Sequence, residues 1–130
     1  AIDKEENAKI DKLKMAIGEA QTEKGSTFYG VAARMQSVQD VRRAYKQVRR
    51  QDPAATHIMA AFKLGGNGQS DFCDDGEHGG GFSIRKTIDD ENKSGIAVFV
   101  VRHYGGVHLG RRRFEHIVNS AKSAINNLYK

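Results

Sequence analysis

The chain has 130 residues and a mass of 14.4 kDa, one domain's worth of sequence, since a chain of that length buries roughly two-thirds of its unfolded surface in a single core. Its hydrophobic and charged content fits a globular chain, and no apolar run approaches the ~20 residues that span a bilayer, so an integral membrane protein is not expected. The formal charge of +5 is a sum of unlike parts: −1 over residues 1–24, +5 over 25–64, −5 over 65–92 and +6 over 93–130. Such polarity suits an anionic or a protein partner.

The first residues lack a signal-peptide layout, the start without Met suggests processing or trimming, and one cysteine allows no intrachain disulfide. A reducing, cytoplasmic setting is the expectation. Residues 1–24 carry alternating charge with Ile10, Leu13, Ile17 and Ala20 at helical spacing, which predicts a charged leading helix or a linker. Residues 25–34, with Thr27, Phe28, Tyr29 and Val31, read as a strand.

Ser37 is a candidate N-cap for a helix over residues 38–51, ended by Asp52-Pro53. Val38, Val41, Ala44, Tyr45 and Val48 form its apolar side. Arg42, Arg43, Lys46, Arg49 and Arg50 fill the opposite arc as a cationic ridge, either a solvated face or a partner surface. Residues 56–64 and 69–74 read as a strand pair joined by glycine-rich hairpin punctuation. A glycine-opened helix runs to near Asn92, residues 95–101 form a buried central strand, and residues 111–129 form the clearest amphipathic helix. One obvious hairpin among alternating strands and helices predicts an α+β fold: a mixed, mostly antiparallel four-stranded sheet with helices packed on one face.

Eleven of the 14 glycines fall between Gly65 and Gly110, around the candidate chemistry. Asp74, Asp75 and Glu77 place three carboxylates in four residues, and close like charges need neutralising. Backbone amides of the following turn, arginines such as Arg102, or a divalent metal are the alternatives. Gly79-Gly80-Gly81 lack the order of a phosphate-binding loop and suit close helix packing instead. His57, His78, His103, His108 and His116 show no metal or catalytic spacing, and Cys73 beside Asp74 fits core packing better than a nucleophile. Arg111, Arg112 and Arg113 at a helix N-terminus oppose the helix dipole, which points to pairing with the acidic loop or to contact with a partner.

The acidic loop Asp74-Asp75-Gly76-Glu77, the stretch from Val100 through Arg102, Tyr104, Gly105 and Gly106 to Gly110, and the helix start at Arg113-Phe114 resemble the Impact/YigZ family, over about residues 25–130. Lys24 to Phe28 and Thr56-His57 support the match, and Arg113-Phe-Glu-His-Ile-Val-Asn119 is closer to the eukaryotic branch. The resemblance implies an Impact-type domain over residues 25–130, like the C-terminal domain of eukaryotic Impact-type regulators, with a fold related to the second domain of ribosomal protein S-five. It implies no catalytic activity, no cofactor and no metal.

The same resemblance implies translational control. A scaffold protein associated with ribosomes, the activator of the general-control kinase that phosphorylates initiation factor two, is the implied partner, with that kinase restrained during amino-acid starvation; actin is a further implied partner. The family's N-terminal RWD domain has no counterpart in the sequence. Three departures bear on partner choice: His78-Gly-Gly-Gly-Phe-Ser83 replaces a Thr-Ala-Gly type of run, Arg111-Arg112 stand where Pro-Asp is usual, and Arg102-His103-Tyr104 replaces an Arg-aromatic-aromatic triplet. The expected site is therefore Arg42, Arg43, Lys46, Arg49, Arg50, Arg111 and Arg112, reading the scaffold by charge. RNA binding through the same basic face is the alternative, and a metal-dependent hydrolase using Asp74, Asp75 and Glu77 the third reading.

Overall fold

The structure, a computed structural model, describes residues 14–66 and 68–130. Strands β1 (Ala16–Ile17), β2 (Gln21–Glu23) and β3 (Ser26–Arg34) precede helix α1 (Val38–Gln51). Strands β4 (His57–Lys63) and β5 (Ser70–Cys73), helix α2 (Gly80–Asp90), strand β6 (Ile96–His103) and helix α3 (Arg112–Leu128) follow. The α+β class and the order of elements after residue 25 agree with the sequence reading.

The sheet runs β1-β3-β6-β4-β5, with β2 pairing the same strand as β1, and every pairing is antiparallel. The expected count of four strands is thus exceeded by two short ones at the β3 edge. The expectation of a leading helix fails over residues 14–24, while Ile10 and Leu13 lie outside the described residues. Lys24 and Gly25, at φ 49° and 82°, form a two-residue turn that sets Glu23 opposite Ser26. Positive φ at both turn residues matches the twist of the flanking strands, so a hairpin forms where the apolar spacing predicts a helix.

The structure also corrects the one-face packing. Side chains of β6 alternate between two cores, and all but its last residue are buried. Val98 and Val100 join Ile84, Ile88, Ile117 and Ile125 of α2 and α3 on one face. Phe99 and Val101 join Val31, Ala33, Ala44 and Val48 on the other, beneath α1. An unbroken apolar strand needs cover on both sides, so helices lie on both. Ser37 caps α1 as expected, its Oγ accepting from Asp40 N at 3.2 Å.

A charge network ties the end of α1 to the sheet. The Tyr29 hydroxyl donates to Asp52 Oδ2 at 2.6 Å, and His103 Nε2 lies 2.8 Å from the same oxygen. Burial pushes the Asp52 carboxyl up, but hydrogen bonds from Tyr29 and His103 outweigh it and hold the group below the usual aspartate range. Burial, with the bond to Asp52, pushes the Tyr29 phenol far above its ordinary value.

A depressed Asp52 contributes stability present above its unfolded pKa of about 4 and lost as pH falls through the folded value. A raised Tyr29 contributes stability complete below about pH 10 and lost as pH climbs beyond it. Tyr29→Phe is therefore expected to cost about 1 kcal/mol at neutral pH, discounted for partial exposure. In urea unfolding across pH, the gap from the parent should close below about pH 4 and above about pH 10.

Candidate functional site

The acidic loop between β5 and α2 meets β4, the end of β6 and the start of α3. Its three carboxylates are neutralised in three different ways. Asp74 caps α2: Oδ1 accepts from Gly81 N at 2.8 Å and Oδ2 from Gly79 N at 3.1 Å. Gly80 N donates to Glu77 O at 2.8 Å, so all three glycine amides are occupied within the chain.

Asp75 Oδ2 accepts from Ile58 N at 2.8 Å and lies 3.8 Å from Arg49 Nη2. Its carbonyl oxygen is 2.6 Å from His57 Nδ1. A carbonyl can only accept, so Nδ1 carries the proton, and Nε2 faces Glu77 Oε2 at 3.6 Å.

Glu77 is buried, and its Oε1 accepts from Arg102 Nη1 at 2.5 Å, with Arg113 Nε at 3.3 Å. The Arg102 guanidinium, also buried, lies 4.9 Å from the Phe28 ring centroid and 5.4 Å from that of Tyr104. Two of the sequence alternatives, amides and arginines, are thus both in use. Among the described residues, no group of three His, Cys, Asp or Glu side chains is arranged to hold a metal ion.

The loop after β6 is fastened onto this pair. Ser26 Oγ accepts from Gly105 N at 3.0 Å, and Thr56 Oγ1 accepts from Tyr104 N at 2.9 Å. A Cβ at Gly105 would stand 2.2 Å from the Gly25 carbonyl carbon, so the backbones meet only because residue 105 is glycine, while Gly25 is favoured by its φ of 82°. Thr56, His57, Glu77, Tyr104, His108 and Arg113 border a cleft of about 330 Å³. Gly106 and Gly110, at φ 91° and 59°, bend the remainder of the loop towards α3.

The expected basic ridge divides in the structure. Arg42, Lys46 and Arg50 are exposed, whereas Arg43 pairs with Asp40 at 3.3 Å and Arg49 donates to the Ala55 carbonyl at 3.2 Å. Arg42 and Lys46 make no ion pair among the described residues. The arginine triplet divides too: Arg113 joins Glu77, Arg112 binds Glu23 at 2.8 Å, and Arg111 stays exposed. Hydrogen bonds from Arg112 and then His116 hold Glu23 below the ordinary glutamate range, linking β2 to α3. Cys73, expected in the core, is exposed on the edge strand β5 because its side chain lies beyond the reach of α1.

Residues 24–125 match the family model described as the Impact N-terminal domain. The chain belongs to the Impact family. It is 34% identical over 109 residues to the Protein IMPACT homolog of Schizosaccharomyces pombe, covering 80% of this chain and 39% of that protein. The Caenorhabditis elegans Protein IMPACT homolog is 31% identical over 126 residues, covering 91% and 49%. The chain thus spans less than half the length of these curated relatives.

A solved structure of the two-domain translational regulator Yih1 superposes with a TM-score of 0.56 at 28% identity, over 86% of this chain and 46% of that one. Another, described only as a hypothetical protein, shares the fold with a TM-score of 0.71 at 23% identity, over 90% and 61%. No helix among the described residues is long and apolar enough to cross a membrane.

Proposed function

We propose that this chain is the Impact-type module, over residues 25–130, of a cytoplasmic translational regulator, and that it works by binding protein and not by catalysis. The partner is the ribosome-associated scaffold that activates the general-control kinase, and binding restrains that kinase during amino-acid starvation; actin is a further partner. Family membership and the likeness to Yih1, a translational regulator, support this reading. The observation that carries the surface assignment is that Arg42 and Lys46 stand exposed on α1 without an acid partner among the described residues.

Asp74, Asp75 and Glu77 support a non-enzymatic role, since each is engaged in holding backbone or arginine. Exposed interface cations act mainly through on-rate and orientation. Arg42→Glu/Lys46→Glu is expected to weaken scaffold binding about tenfold or more at low salt, with a smaller loss at high salt. Titration calorimetry against nuclease-treated scaffold checks this, and unchanged affinity at low salt removes the assignment.

A further inference from the structure

Among the described residues, one face of the sheet carries two helices and the other carries one. Strands lie about 4.8 Å apart and packed helices about 10 Å, so one helix shields about two strands. The buried residues of α1 cluster with Val31 and Ala33 of β3, Phe99 and Val101 of β6 and, at the start of β4, Ile58, while Ala60 and Phe62 further along β4 are only partly buried. The outer half of this face, over β4 and the edge strand β5, is left as a groove of about 380 Å³. Ala60 and Phe62 form its floor, Val41 and Tyr45 the α1 wall, and Cys73 the β5 side.

The rim of this groove is charged with one sign on the helix side. Arg42 and Lys46 border it, and neither has an acid partner among the described residues. A largely apolar trough with Arg42 and Lys46 on the α1 side and Asp71 on the β5 side selects an amphipathic helix with its acids along the flank that meets α1.

We propose that the α1–β5 groove docks an acidic amphipathic helix of a partner protein, which lies beside α1 and completes the second layer on this face. The inference rests on the protein-binding reading above and gives that partner its local chemistry. Cys73 is the sole cysteine, is exposed and lines the groove, so its alkylation reports occupancy directly.

The probe is a synthetic helical peptide with leucine at i, i+3, i+4 and i+7 and glutamate along one flank, compared with its lysine-for-glutamate counterpart. At about ten times its Kd the acidic peptide should slow iodoacetamide labelling of Cys73 about tenfold, because only the open groove reacts. Arg42→Glu/Lys46→Glu should abolish that protection and confer it on the lysine peptide. No protection by the acidic peptide at low salt, or equal protection by both peptides, overturns the proposal. Protection that grows with the concentration of the protein alone, or that an oligonucleotide gives and the peptide does not, overturns it in favour of a second copy or of RNA. Scaffold binding that still falls on charge reversal while Cys73 stays unprotected would sink the groove alone and leave the scaffold assignment standing.

Discussion

Glu77→Ala should destabilise the domain by about 3–5 kcal/mol, because it leaves the Arg102 guanidinium buried without its counter-charge. Side-chain exposure is 6% for Arg102 and 5% for Glu77, so water cannot replace the lost carboxylate. Arg113, at 29%, can turn outward and adds little to the loss. A domain of this size should melt about 10–20 °C lower. Replacing both partners, as in Glu77→Leu/Arg102→Met, should recover most of that stability, since the desolvation cost disappears with the pair. Calorimetric melting of the single and double variants tests the argument; a single variant within about 1 kcal/mol of the parent would show that the pair does not hold the loops together.

That pair also shows what periodicity and composition could make visible. Three carboxylates in four residues announced a need for neutralisation, and Arg102 stood at the end of a strand apolar enough to be central. Which acid met which partner depends on the register of β4 against β6, which sets His57 opposite Arg102 and brings Asp75 to the Ile58 amide. No local pattern contains that register. The helix over residues 38–51 was legible to the residue because its cap, its apolar stripe and its Asp-Pro stop are all local signals.

Residues 16–23 were misread for a related reason. Two short strands of two and three residues are held by pairing with β3, and Glu23 is held by Arg112 and His116 from the far end of the chain. The local signal that could have marked the hairpin is Lys24-Gly25, a less common form of the Asn-Gly turn. The basic ridge was visible as composition, but composition could not tell that Arg43 and Arg49 are engaged within the chain while Arg42 and Lys46 face a groove. One helix wheel treats all five alike; the sheet beneath it distinguishes them.

A close helix–sheet approach was hidden in an ordinary-looking strand. Gly30 sits in the middle of β3, where glycine is a poor strand former, and a Cβ there would stand 2.2 Å from the Ser120 carbonyl oxygen and 2.8 Å from its carbon. Both atoms belong to the backbone of α3, so no side-chain rotation relieves the clash. Gly30→Ala must push α3 off β3, loosening Ile117, Ala121 and Ile125 against the core. The expected cost is about 3 kcal/mol, the upper end for overpacking, because a whole helix has to move. Gly65→Ala is the control: its added methyl meets nothing within 4 Å, so stability should stay level or rise by about 0.5 kcal/mol as the unfolded chain loses freedom. Urea unfolding of the two variants separates close approach from glycine's backbone freedom, and equal stabilities would contradict the packing of α3 on β3.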